Sequence, residues 1–266
     1  MEHPGPDRGM SFGDGAFETI RVEGGQILFR EAHRDRLTAA LQTLDLRLPC
    51  SWAYIIKQAH FMAARCPYGR LKILVIRAGE GAYTPPMQEA LLWLSLQQVP
   101  ENPHYPLGPE QRLILYPHAR LVESPWSRFK TLSALPYVQA ARYAVERGFT
   151  DAILLSVEGY LAETSRANLF WYDGKLLHTP PLSTGAVEGI FRGQILASAK
   201  QLHIPTQESL AMPEALLTAQ EVFTTNVIQG IAPVKQIKLS DRFERSYPAP
   251  ELLPHLTSQL QKVIFP

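Results

Sequence analysis

Phe12-Gly13-Asp14-Gly15-Ala16-Phe17-Glu18-Thr19-Ile20-Arg21-Val22-Glu23-Gly24-Gly25-Gln26-Ile27-Leu28-Phe29 carries the first firm structural signal in the chain. Two apolar-rich runs, Ala16 to Val22 and Gln26 to Phe29, flank Glu23-Gly24-Gly25, an arrangement that predicts a β-hairpin. Downstream, Leu37, Leu41 and Leu44 recur at helical spacing, and a second helical pattern runs from Trp52 to about Arg65, stopping before Pro67. Such helices cover one face of the sheet that the hairpin begins. The runs Leu71 to Ile76, Ala90 to Leu96 and Arg112 to Tyr116 read as further strands, separated by Pro- and Gly-bearing loops around Gly79 to Pro86 and Pro100 to Pro109.

The stretch from Pro117 to Phe129, rich in Pro, Arg and Trp, reads as a crossover. The expected organisation is an N-terminal α+β domain over residues 1–117, a linker over 118–129 and a C-terminal domain over 130–266. The second part opens with a helix at about Ser133 to Arg147. A meander follows: strand Ala152 to Ser156, strand Tyr160 to Tyr172 and strand Lys175 to His178, with turns at Glu158-Gly159 and Asp173-Gly174. Helices at about Val187 to Gln201 and Pro213 to Leu217, a strand Glu221 to Thr225 and a helix near Glu251 to Val263 complete it.

Lys and Arg total 26 against 25 for Asp and Glu among 266 residues, so no excess charge draws the chain to nucleic acid or anionic lipid. A small-molecule ligand is the expectation. No apolar run approaches membrane-spanning length and the first ten residues contain no apolar leader core, which points to the cytosol. Cys50 and Cys66 lack metal-like spacing and read as reduced. No Gly-x-Ser-x-Gly elbow, Walker loop, Gly-x-Gly-x-x-Gly fingerprint or His-Glu-x-x-His helix is present, and the histidines do not cluster with acidic or thiol ligands.

Five features could carry chemistry. A period of two along Leu161 to Phe170 sets Glu163 on an apolar or small face with Leu161, Ser165, Ala167 and Leu169; an ionised carboxylate there needs a cation or strong donor. A protonated pyridinium and a neighbouring arginine both fit that need. Lys130 stands on a constrained loop ahead of a helix, where Phe129 and Arg128 would favour the neutral amine required for imine formation; a solvated surface lysine fits the same residue taken alone. Gly185 to Arg192 opens a helix whose free N–H groups and dipole suit a phosphate, although glycine-bearing helix starts are common. Phe223 to Val227 ends a strand at a polar turn able to add donors, and Arg36 could place a guanidinium on the same anion or simply lie exposed on its helix.

These fragments occur together in one order: Asp7-Arg8, Phe12 to Arg21, His33-x-x-Arg36-Leu37, Lys130-Thr131-Leu132, Glu163-x-x-x-x-Asn168-Leu169-Phe170, Gly189-Ile190-x-Arg192 and Asn226 to Val234. In that order they resemble the class IV, or fold type IV, pyridoxal-phosphate enzymes over nearly the whole chain. The family contains D-amino-acid and branched-chain aminotransferases and aminodeoxychorismate lyase. The resemblance implies an α+β fold with a smaller N-terminal α/β domain and a larger, β-rich C-terminal domain with helices, and usually a homodimer with the site between the two domains of each subunit. It implies pyridoxal 5'-phosphate as cofactor, Lys130 as the Schiff-base lysine, Glu163 as the partner of the pyridine nitrogen and Arg36 as a phosphate ligand. Backbone donors at Ile190, Phe191 and Val227, with Asn226 in the same turn, complete the implied phosphate cup; Phe191 and Val227 replace hydroxyl residues common in transaminases, so only their N–H groups can serve. Relatives usually carry another strand ahead of the position of Asp7, so the N-terminal sheet is expected to be a strand short.

Within the family, Phe17-Glu18-Thr19, Ala167 to Trp171 and Thr225 to Val234 resemble the lyase branch, in which the threonine matching Thr19 is implicated in catalysis. Ala78-Gly79-Glu80-Gly81-Ala82-Tyr83 lacks the Arg and His of the D-amino-acid transaminase carboxylate trap. The implied reaction is conversion of 4-amino-4-deoxychorismate to 4-aminobenzoate and pyruvate, a step toward folate, with Thr19 donating a proton to the departing oxygen; Lys72 and Arg77, read on a strand facing the cleft, are candidates for the two substrate carboxylates, although solvated strand-end cations fit the same residues. A class IV amino-acid transaminase and a non-catalytic binding protein on the same fold are the competing readings.

Overall fold

The computed structural model describes residues 7–265; residues 1–6, which hold most of the stretch read above for a leader, lie outside the described residues. Two compact units emerge: the first runs to Asn102 and takes in Phe129–Ala134, and the second comprises Pro103–Arg128 and everything from Leu135 onward.

The first unit contains, in chain order, α1 (Arg8–Phe12), β1 (Gly15–Glu23), β2 (Gln26–Ile27), α2 (Arg30–Thr43), α3 (Trp52–Ala63), β3 (Tyr68–Arg77) and β4 (Ala90–Gln98). Its sheet has the order β2-β1-β3-β4, antiparallel throughout. The expected hairpin forms at Gly24 and Gly25, with φ of 56° and 76°; at Gly24 a Cβ would meet nothing, so the glycine answers to backbone conformation and not to space. Alternation decides what lies beneath the sheet. Ala16, Ile20 and Val22 of β1 and Leu71, Ile73 and Val75 of β3 pack against Leu37, Ala40 and Leu41 of α2 and Ile55, Ala59 and Ala63 of α3, the i, i+3, i+4 stripe of an amphipathic helix meeting a period-two face. Ser51 starts α3 by accepting from the Tyr54 N–H.

The second unit contains β5 (Gln111–Leu121), α4 (Leu135–Glu146), β6 (Asp151–Ser156), β7 (Leu161–Thr164), β8 (Asn168–Tyr172), β9 (Leu177–Thr179), α5 (Ile190–Gln201), β10 (Thr206–Glu208), α6 (Ala215–Thr218), β11 (Glu221–Asn226), β12 (Gly230–Lys238), β13 (Glu244–Ser246) and α7 (Leu252–Ile264). Its sheet runs β10-β9-β8-β11-β12-β5-β6-β7, with β13 on β12, and β7 also pairs with β8, so six strands close a ring. Closure removes two exposed edges.

The α+β class stands, but three expectations about the elements change. The boundary at 117 fails because β5 pairs in parallel with β12 and β6, inside the second sheet, whereas the segment beginning at Phe129 is held by β1. The supposed single strand Tyr160 to Tyr172 is two strands folded back at Ser165–Ala167: Thr164 N–H donates to Ala167 O at 2.9 Å, and Glu163 lies opposite Asn168. No strand was expected over Gly230–Lys238; β12 forms there, accommodates Pro233 opposite Phe223 and shifts register between Val234 and Gln236.

Phe170 and Phe223, paired across β8 and β11, stack at 5.0 Å and 8° with no exposure. Phe223→Ala leaves a cavity there and is expected to cost about 3–5 kcal/mol, read as the fall in unfolding free energy in a denaturant titration; a cost below ~1 kcal/mol would show that this pair is not central to the core.

Candidate active site

Lys130 is positioned by backbone. Phe17 N–H donates to Lys130 O at 2.8 Å and Leu132 N–H to Gly15 O at 3.0 Å, with Thr131 bridged to Ala16. The segment thereby lies alongside β1 as a short extra strand. A Cβ at Gly15 would stand 2.3 Å from Val75 O and 2.9 Å from Leu132 Cδ1, so this close approach needs glycine. Phe129, expected to line the lysine's surroundings, is instead buried in the core of the unit, and Arg128, expected beside it, pairs with Glu188. The ring that meets the amine is Phe17, whose centroid lies 4.8 Å from Lys130 Nζ and 4.6 Å from Lys72 Nζ. Thr19 is directly opposite Lys72 in the β1–β3 register. Period two puts Phe17, Thr19 and Lys72 on the sheet face away from the helices, so one surface gathers Lys130, Phe17, Thr19 and Lys72.

The helix-covered face holds Glu18. Arg36 donates to it through Nε at 2.7 Å and Nη2 at 2.6 Å, and His33 Nδ1 lies 2.7 Å from Oε2. Burial raises the Glu18 carboxyl, but the Arg36 guanidinium and the His33 and Arg36 hydrogen bonds outweigh it and hold it at about 2. Burial pushes His33 below its ordinary value against the pull of Glu18, so it stands neutral with Nδ1–H as donor. Of this pair only Arg36 is an expected site residue; the signal for Glu18 in the sequence is a carboxylate in phase with Ala16 and Ile20.

Arg77 requires correction. It was expected to receive a substrate carboxylate, but it is 6% exposed and its guanidinium is committed: Nε donates to Asp14 at 2.9 Å, Nη1 to the carbonyls of Asp45 at 2.9 Å and Met87 at 3.2 Å, and Nη2 to that of Leu44 at 2.6 Å. It clamps three loops of the first unit.

In the second unit Glu163 is 3% exposed on a strand with every residue buried. Its Oε1 accepts from Tyr137 OH at 2.8 Å and Val187 N–H at 3.0 Å, and its Oε2 from Asn168 Nδ2 at 3.2 Å. Asn168 Nδ2 also donates to Val187 O at 2.8 Å. Neutral donors thus meet the carboxylate. Tyr137 and Asn168 were not assigned from sequence: Tyr137 is one tyrosine on an ordinary helix, and Asn168 becomes Glu163's neighbour only once the strand folds back.

The segment leading into α5 has the features of an anion cradle. Gly189 caps the helix with no side-chain hydrogen bond, and a helix start turns its first N–H groups and its positive dipole end outward. A Cβ on Gly189 would fall 1.9 Å from Asn168 Oδ1. Asn226, expected to touch the cofactor, uses its side chain in structure: Oδ1 accepts from Ile228 N–H at 3.0 Å and Gln229 N–H at 2.9 Å within its own turn, and Nδ2 donates to Arg166 O at 3.3 Å. It shapes the loop that carries Val227. Tyr105, missed from sequence, joins the two segments, its ring 4.8 Å from that of Phe191 and its hydroxyl donating to Val227 O at 2.7 Å. Thr225 Oγ1 beside this turn is buried with no hydrogen-bond partner among the described residues. An uncapped helix start and an unmatched buried hydroxyl fit a phosphorylated cofactor.

A lysine fixed by strand backbone, a buried carboxylate met by neutral donors and a helix start without a side-chain cap are parts a pyridoxal-phosphate enzyme uses, and the amino-transferase class IV family model matches residues 15–237; the chain belongs to that family. An aminodeoxychorismate lyase from Vibrio harveyi is 29% identical over 234 residues, 87% of this chain and 86% of its own. A 4-amino-4-deoxychorismate lyase structure from Pseudomonas aeruginosa superposes with a TM-score of 0.81 at 28% identity, covering 98% of this chain and 95% of that one. A branched-chain-amino-acid aminotransferase from Escherichia coli strain K12 is 36% identical over 94 residues, 35% of this chain and 30% of its own. Among the described residues no helix is long and apolar enough to cross a membrane.

Two outcomes follow from the first unit. The Glu18 contribution to stability is complete above the ordinary carboxyl value of 4.5 and is lost as pH falls through about 2, an effect of about 3 kcal/mol; wild type should therefore lose stability more steeply than Glu18→Gln between pH 5 and pH 2 in parallel acid titrations. Arg77→Met strands three carbonyls and leaves Asp14 with Arg8 alone of its two arginine donors, and should cost about 3 kcal/mol or more, whereas Lys72→Met should leave the thermal midpoint nearly unchanged.

Proposed function

We propose that this chain is a pyridoxal-phosphate-dependent lyase that converts 4-amino-4-deoxychorismate to 4-aminobenzoate and pyruvate. The gathering of Lys130, Phe17, Thr19 and Lys72 on one sheet face carries the proposal: an amine, an aromatic platform, a hydroxyl and a second cation suit a cyclic amino acid with two carboxylates. The family's cofactor, when bound, supplies an electron-withdrawing ring that stabilises negative charge on the substrate's amine-bearing carbon.

The remaining work belongs to the chain's own residues. Lys130 Nζ would hold the cofactor and, as a free amine, would take the proton from the substrate's amine-bearing carbon. Glu163 would hold the ring nitrogen as an acceptor, and the N–H groups of Ile190, Phe191 and Val227 would hold the phosphate, with Arg36, which donates to Glu18 through Nε and Nη2, proposed to add to it. Lys72 takes a substrate carboxylate. Thr19 gives a proton to the enol oxygen as the carbon–oxygen bond breaks, and release of the three-carbon fragment as pyruvate leaves an aromatic ring. The same reading takes the working species as a homodimer.

The loop after β3 supports lyase over D-amino-acid transaminase chemistry. It offers no Arg or His, and its Ala82 and Tyr83 carbonyls accept from Arg8, a structural use. The purified protein with 4-amino-4-deoxychorismate and no keto acid should release 4-aminobenzoate and pyruvate in equal amounts, and Lys130→Ala should lower that rate by about a thousandfold or more. Product formation only on addition of a keto acid would replace this reading with a transaminase; neither turnover nor a visible cofactor band would leave a binding protein.

A further inference from the structure

We infer that Tyr137 is a positioning residue that keeps the shared proton on the cofactor's ring nitrogen by hydrogen-bonding to Glu163, an inference that rests on the role of Glu163 proposed above.

Val187, Asn168 and Tyr137, which donate to Glu163, differ in origin. Val187 gives a backbone N–H, and Asn168 is cross-strand partner to Glu163 with its amide also fixed on Val187 O. Tyr137 alone arrives from a helix, on the first turn of α4, its ring packed with the cluster that includes Ala140, Leu154 and Ala162. Its hydroxyl makes the shortest contact, 2.8 Å to Oε1. Burial and the neighbouring Glu163 charge push the phenol well above its ordinary value, so it remains a donor throughout the working pH range.

A donor to a carboxylate stabilises the charged form and makes it a weaker base. Facing a pyridinium, a weaker base leaves the proton on nitrogen, where it deepens the ring's capacity to accept charge. A carboxylate without that donor draws the proton toward itself and leaves the ring closer to neutral. Because Val187 and Asn168 are bound into the local backbone, removal of the phenol oxygen changes the basicity of Glu163 with little change in its position.

The test uses the full-length protein loaded with cofactor carrying ¹⁵N in the ring. In Tyr137→Phe the ring-nitrogen resonance should move toward that of unprotonated pyridine and kcat should fall about fivefold to twentyfold with KM within about twofold. Incorporation of 3-fluorotyrosine at position 137, which keeps the ring and strengthens the donor, should leave the resonance at or beyond the wild-type position on the protonated side. An unchanged resonance and kcat in Tyr137→Phe would overturn the inference and reduce the phenol to packing, provided that Glu163→Gln, measured alongside, moves the resonance. If Glu163→Gln leaves the resonance in place, the proposed role of Glu163 itself fails, and the inference with it.

Discussion

A carboxylate sealed within a fully buried strand must be met by donors, and much of the second unit is arranged around meeting Glu163. Its partners come from three separate places: α4, β8 and the loop before α5. Asn168 reaches it because the chain reverses at Ser165–Ala167, a turn secured by Thr164 and by Asp151, whose Oδ1 accepts the Ser165 N–H at 3.2 Å as well as the Ser165 hydroxyl. The same Asn168 side chain lies against Gly189, where no larger residue fits without displacing it. One buried charge therefore ties the hairpin register to the helix start that would take the phosphate, and loosening either element exposes an unpaired acceptor.

The first unit solves a related problem by separating the two faces of one sheet. Glu18, in phase with Ala16 and Ile20, faces the helices and is neutralised by Arg36 and His33. One residue to either side, Phe17 and Thr19 face the other way. A period of two thus gives adjacent residues different employment: Glu18 anchors α2 to the sheet, while Phe17 and Thr19 stand with Lys130 and Lys72 on the opposite face. Lys130 owes its place there to hydrogen bonds from the β1 backbone, so its position is as fixed as the strand although it belongs to a loop.

Arg36 and Arg77 illustrate how alike two arginines look before the fold is known. Each lies among polar and apolar neighbours in sequence. In the fold one is held by a single carboxylate through both ends of its guanidinium, whereas the other is distributed over Asp14 and three loop carbonyls. Such saturation depends on carbonyls brought together from residues 44, 45 and 87, and no local pattern announces it.

Local chemistry made much of this protein legible. Apolar periodicity marked the β1–β2 hairpin, α2, α3 and most strands, since each such element buries a face whose spacing is written into consecutive residues. The ordered motifs around Lys130, Glu163 and Gly189 pointed to the cofactor class. Tertiary structure alone assigned β5 to the second sheet, folded Tyr160 to Tyr172 back on itself, admitted Pro233 into a strand, withdrew Arg77 from the substrate and delivered Tyr137 to Glu163. Those outcomes rest on pairings between residues far apart in the chain, and hydrogen-bond partners at long range are chosen by the geometry of the assembled sheet, which the local pattern of side chains does not encode.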